Sequence, residues 1–153
     1  MTASHLAPAI VARDVDEAIA AVRERGLRVS SARRLLLEAL FAAHGPQTAE
    51  ELAASSGSGS STDPASVYRN LERLEAIGLV RHVHLGHGPG LYALANSLAD
   101  GYVVCDGCGK RVAASSEQLE RVRRTVREEF GYESAFSHFP IVGLCPACSK
   151  GAS

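Results

Sequence analysis

Four cysteines carry the most chemistry in this sequence, and they form two pairs of one spacing: Cys105-Asp-Gly-Cys108 and Cys145-Pro-Ala-Cys148. Two residues between cysteines let both thiolates reach one ion, and a tetrahedral Zn²⁺ is satisfied by four such soft ligands. Gly109 follows the first pair, where a tight knuckle turn needs a glycine. Two other readings stand beside this one. A lone redox CxxC leaves the second pair without a role, and two disulfides sit badly in a reducing compartment. A closed four-sulfur site would be structural, with no open position for catalysis. Histidines form a second set. His82 and His84, two apart in an alternating stretch, are expected on one face of a strand; His87 follows at a turn, and His138 lies in a later strand-like stretch. They read either as surface histidines of a polar hairpin or as ligands of a second site between two domains, suiting Zn²⁺, Ni²⁺, Co²⁺ or Fe²⁺. His5 and His44 read as ordinary surface residues. A third set is basic: Arg23, Arg25, Arg28, Arg33 and Arg34 stand against the single acid Glu24. That cluster suits either phosphate contacts or a solvated helix face.

Enzyme signatures are missing from the chain. It has no HExxH and no phosphate loop, and no histidine neighbours a candidate nucleophile in sequence. The 153 residues are 46 % apolar and 22 % charged with a net charge of −1, a globular composition large enough for one domain or two very small ones. No stretch approaches the roughly 18 apolar residues that would span a bilayer, so no membrane partner is expected. The start, MTASHLAP, lacks a basic end and an apolar core, which points to the cytoplasm.

The elements that must position these groups change in kind along the chain. Val15, Ile19 and Val22 recur at helical spacing up to Gly26. Ser30 or Ser31 can cap a helix carrying Leu36, Leu37, Leu40 and Phe41, and Thr48 with Glu51 makes a capping box for a third. Residues 55–62 (SSGSGSST) read as a flexible loop. Asp63-Pro64 is an N-cap followed by proline at N1, opening a helix whose stripe is Val67, Leu71, Leu74 and Ile77. Leu79–Leu85 and Gly90–Leu94 then alternate as a hairpin joined by GHGP. Short helices followed by a hairpin predict a winged helix-turn-helix. The second half predicts a hairpin around DGCGK, a helix from Ser116 with Leu119, Val122, Val126 and Phe130 on one face, and a strand leading into CPAC. Roughly 50 residues make a poor independent core, so a metal staple and a partner subunit are both expected there.

From about Val15 to Ser149 these pieces resemble the ferric uptake regulator family of bacterial metal-responsive repressors. The likeness is carried by GLRVSSARRLLLEAL, TAEEL, ASVYRNLERLEAIGLVR, GLYAL, both CxxC pairs and SHFPIVGLCPAC. The resemblance implies an α+β chain: a flexible leader at 1–13, a winged-helix DNA-binding domain at 14–96 and a zinc-stapled α/β dimerisation domain at 97–153. It implies a homodimer on a palindromic operator in double-stranded DNA, with structural Zn²⁺ at Cys105, Cys108, Cys145 and Cys148. Arg28, Arg33, Ser66, Tyr68, Arg69 and Asn70 make up the DNA-binding set, with Arg28 and Arg33 against the backbone. The chain departs from the family where regulation is read. The usual histidine-rich run is replaced by Leu98-Ala99-Asp100-Gly101-Tyr102, the acidic ligand of the preceding strand matches Ala93 or a neighbour, and a histidine before the third helix matches Gly45-Pro46. Glu120 and His138 survive. With His82 and His84 they make a candidate regulatory site for a second divalent metal (Zn²⁺, Ni²⁺, Fe²⁺ or Mn²⁺), with His87 in reserve. A metal-responsive repressor is the leading reading; a relative that binds DNA constitutively or answers another signal is the alternative.

Overall fold

Local hydrogen-bond chemistry starts the first four helices where the sequence places them. The computed structural model describes residues 7–56, 63–135 and 139–151. These divide into two units, Met1–Val83 with Gly90–Leu98 and His84–Pro89 with Ala99–Ser153. In the first, α1 (Val15–Glu24) begins where the Asp14 carboxylate accepts the Glu17 amide, and α2 (Ser31–Ala42) where Ser30 Oγ accepts that of Arg33. After the short β1 (Gln47–Thr48), α3 (Ala49–Ser56) opens on a reciprocal box: Glu51 N–H donates to Thr48 Oγ1 at 3.0 Å and Thr48 N–H to Glu51 Oε2 at 2.8 Å. Asp63 caps α4 (Pro64–Ala76), which carries proline in its first turn. Its stripe of Val67, Leu71 and Leu74 is buried with Val22, Leu37, Leu52, Leu79 and Val80 in one core.

Gly78 ends α4 for two reasons. Its φ of 93° belongs to the left-handed region, and a Cβ there would stand 2.1 Å from the Pro8 carbonyl oxygen. The chain then runs into β2 (Val80–Val83), which pairs antiparallel with β3 (Leu91–Leu94); β1 lies on the other side of β3. Three helices and this hairpin make the winged helix-turn-helix, with α1 in addition.

Two expectations need correction here. The leader was expected to be flexible to residue 13, yet residues 7–13 lie against the first unit. Ile10 N–H donates to the Gly78 carbonyl, the Arg81 guanidinium to that of Ala7 and the Asn96 amide to that of Ala12. Ala12 is in the core, so the segment both buries apolar surface and satisfies its backbone. The first wing strand was expected to reach Leu85 but stops at Val83. From His84 the chain joins the second unit, where Gly86 at φ 79° packs on Val142 and Val104.

The second unit is a β–β–α–β arrangement. The hairpin β4 (Gly101–Cys105) and β5 (Arg111–Ala113) leads into α5 (Ser116–Phe130), which has a full Ser115–Gln118 capping box and ends on Gly131 at φ 71°. After α5, β6 (Phe139–Gly143) returns parallel to β4, and α6 (Pro146–Lys150) follows. The core is thin. Tyr102, Val104, Cys105 and Leu119 are buried, whereas Val103, Val112, Ile141 and Phe130 are exposed. The predicted α5 stripe is thus covered only at its start, Val122 and Val126 being half-buried. No helix among the described residues is long and apolar enough to cross a membrane.

Candidate functional site

Strand register brings the cysteines together. Parallel pairing of β4 with β6 sets Cys105 opposite Gly143, and Asp106 N–H extends the ladder to the Gly143 carbonyl at 2.8 Å. The first CxxC therefore turns over the end of β4 while the second opens α6 beside it. All four sulfurs lie within 4.8 Å of one another, and the thiols are free. Cys108 Sγ and Cys145 Sγ are 3.9 Å apart, close to the ~3.8 Å edge of a tetrahedron with 2.3 Å zinc–sulfur bonds.

The backbone supports the charged form of these ligands. The Cys145 amide donates to Cys105 Sγ at 3.2 Å. With the amides of Cys108 and Gly107 it lowers the Cys105 thiol to about 6. The Cys148 amide lowers Cys145 in the same way, while the crowded sulfurs push Cys148 up to about 12. A divalent cation held by these four sulfurs would favour their thiolate forms. Space is also reserved: a Cβ on Gly107 would stand 3.0 Å from Cys148 Sγ, and Gly109 turns at φ 75°. The donor set, spacing and cradle fit zinc. The CxxC spacing announced the ligands; the need for glycine at 107 came only with the fold.

Not all residues of the expected DNA-binding set are exposed. Tyr68, Arg69 and Arg73 are exposed on α4, and Arg28 is exposed before α2. Arg33, expected against the DNA backbone, is 5 % exposed. Its Nε donates to Asn70 Oδ1 at 3.1 Å, its Nη1 to the Arg28 carbonyl, and burial followed by the charge of Arg73 lowers its pKa. Asn70 Nδ2 in turn donates to the Ser66 carbonyl at 3.1 Å, and Ser66 is half-buried. Arg33 and Asn70 thus spend polar atoms on hydrogen bonds that brace α2 against α4. Sequence reasoning also missed Glu50, whose Oε1 accepts the Tyr68 hydroxyl at 3.2 Å.

Among the described residues, no cluster of three or more potential metal ligands includes a histidine. His82 is exposed on β2, its ring stacked on Tyr92 with centroids 4.6 Å apart. His84 lies beyond the strand, so the alternation that was to set it beside His82 ends one residue early; His87 is exposed in the turn. Glu120 on α5 is 3.5 Å from Arg123, and His138 lies outside the described residues, as do 1–6 and 57–62 of the expected leader and loop. Among the described residues, the four cysteines are the one cluster of three or more potential ligands close enough to share an ion. Ala93 and Gly45, which the resemblance sets at or beside family ligand positions, both line a hollow of about 380 Å³. Its described lining includes Leu40, Phe41, Leu94 and Asn96 and holds no imidazole, carboxylate or thiol.

Comparison with known proteins fits this architecture. The model of the ferric uptake regulator family matches residues 24–139. The peroxide-responsive repressor PerR of Staphylococcus aureus is 26 % identical over 139 residues, covering 90 % of this chain and 93 % of its own. The ferric uptake regulator of Helicobacter pylori, with three functional metal binding sites, superposes with a TM-score of 0.71 at 18 % identity, over 92 % of this chain and 97 % of its own. That of Pseudomonas aeruginosa, solved with manganese, does so at 0.59 and 28 % identity, over 84 % and 97 %. The match across most of the chain, the winged-helix unit and the four-sulfur cluster lead to one conclusion: this chain belongs to the ferric uptake regulator family, whose members are metal-responsive regulators of transcription rather than enzymes.

Proposed function

We propose that the protein is a sequence-specific DNA-binding repressor that acts as a homodimer on a palindromic operator. The observation that carries this reading is α4, with its apolar stripe in the core, its Arg33–Asn70 brace to α2, and Tyr68 and Arg69 left exposed. Tyr68 and Arg69 read base edges or sugar in the major groove, Ser66 lies at the same helix start, and Arg28 meets phosphate. Zinc at Cys105, Cys108, Cys145 and Cys148, when bound, supplies a closed tetrahedral link between the β4 end and α6. A second copy of the chain covers the row Val112–Val103–Ile141, exposed across β5, β4 and β6, in which Val103 pairs with each of the other two. Two such half-sites give the operator its two-fold symmetry.

Regulation has two readings. In the first, His82, His84, Glu120 and His138 hold a second divalent metal (Zn²⁺, Ni²⁺, Fe²⁺ or Mn²⁺). In the second, the protein binds DNA without a second metal or answers another signal, a reading favoured by the ligand-free lining around Ala93 and Gly45. Selection of genomic fragments by the zinc-loaded protein, followed by titration of each metal against operator affinity, tests both. Failure to enrich any sequence over random duplex overturns the repressor reading. Unchanged affinity and stoichiometry with every added metal overturns the second-metal reading.

A further inference from the structure

Three rings and a carboxylate run from the hairpin to the exposed helix within the first unit. The imidazole of His82 on β2 lies flat on the ring of Tyr92, its cross-strand partner on β3, at 4.6 Å and an interplanar angle of 6°. Tyr92 is buried, and it also meets the ring of Tyr68 on α4, edge to face at 6.4 Å and 73°. The Tyr68 hydroxyl ends on Glu50 of α3. Both ring pairs fall within the 4.5–7 Å range where offset-stacked and edge-to-face arrangements are favourable. A fourth residue makes room for the stack: a Cβ on Gly90 would stand 2.0 Å from His82 Nε2. The backbone of Gly90 lies outside the left-handed region, so open space beside the imidazole is what this glycine supplies.

We infer that His82 is a positioning residue for Tyr68: stacked on Tyr92, it fixes where the α4 phenol stands, so the wing takes part in operator selection. This rests on the reading of Tyr68 as a DNA contact. Tyr92 cannot retreat, because it sits in the middle strand of the sheet between β1 and β2. A ring over one of its faces therefore limits its tilt, and its tilt sets the surface against which the Tyr68 edge rests. A role in the stack asks for a flat ring at position 82, whereas a role as metal ligand asks for a ring nitrogen. Two substitutions pull these apart. His82→Phe keeps the ring and removes the nitrogens. Gly90→Ala keeps the nitrogens and pushes the ring aside.

The experiment uses the full-length protein with zinc at the cysteines and no other added metal, measured against its selected operator and a random duplex. His82→Ala and Gly90→Ala are expected to weaken operator binding by roughly three- to tenfold, the value of one aromatic pair, with random-duplex binding unchanged. His82→Phe is expected to stay within about twofold of the parent by the same measure. In NMR spectra of the free protein, the Tyr68 ring resonances should move in His82→Ala and Gly90→Ala and hold in His82→Phe. Equal weakening in His82→Phe and His82→Ala would overturn the inference, since a nitrogen and not a ring would then matter. So would Tyr68 resonances that ignore all three substitutions. Tyr68→Ala with unchanged operator affinity would instead remove the reading of Tyr68 as a DNA contact, while the NMR result still decides whether the stack positions it.

Discussion

Arg33→Ala separates a structural arginine from a DNA contact. Arg33 is 5 % exposed, and its guanidinium donates to Asn70 across 37 residues and to the Arg28 carbonyl. Truncation leaves two acceptors, Asn70 Oδ1 and the Arg28 carbonyl, without their charged donor. Hydrogen bonds to a charged group contribute roughly 1.5–3 kcal/mol each, and desolvation of the arginine itself offsets part of that. A net loss of about 3 kcal/mol is expected, a large share of the 5–15 kcal/mol typical of a domain. For a unit of this size that lowers the midpoint of thermal unfolding by on the order of 10–20 °C. Differential scanning calorimetry and urea titration of the full-length protein measure it. Salt dependence supplies the contrast. Loss of one phosphate contact reduces the slope of log K against log salt by about 0.9, which is the expected result for the exposed Arg28→Ala and not for Arg33→Ala. An Arg33→Ala protein that unfolds at the parent temperature but has the shallower salt slope would refute the brace and return Arg33 to the DNA surface.

Replacing Cys105 or Cys148 by serine should remove one zinc per chain by elemental analysis and unfold the second unit, because metal binding at such a site is folding free energy. Unchanged zinc content would refute the four-sulfur site. Val103→Glu places a charge in the middle of the exposed Val112–Val103–Ile141 row. It should weaken the dimer by about a hundredfold or more in sedimentation equilibrium, given the cost of an unpaired charge in an interface. Arg69→Ala should cost about 1–3 kcal/mol on the operator in fluorescence anisotropy and far less on random duplex. Equal losses on both would make Arg69 a phosphate contact.

By itself the sequence determined whatever depends on groups three or four residues apart. The Thr48–Glu51 box, the Asp63-Pro64 start of α4, the Gly131 stop of α5 and the CxxC ligands are of this kind, because each partner is within reach along the chain. The family was legible for the same reason, in contiguous strings. Tertiary structure decided the rest, through partners far away in sequence. Arg33 reads as a phosphate ligand until Asn70 is brought against it, and a leader rich in alanine reads as loose until Gly78 and Arg81 accept and donate its hydrogen bonds. His82 reads from spacing alone as half of a ligand pair; that β2 stops at Val83 and that the imidazole stacks on Tyr92 came only with the fold. A side chain's role follows from what covers it, and coverage is a property of the packed chain: local spacing specifies which groups can meet a neighbour, while burial selects which of them still face solvent, metal or DNA.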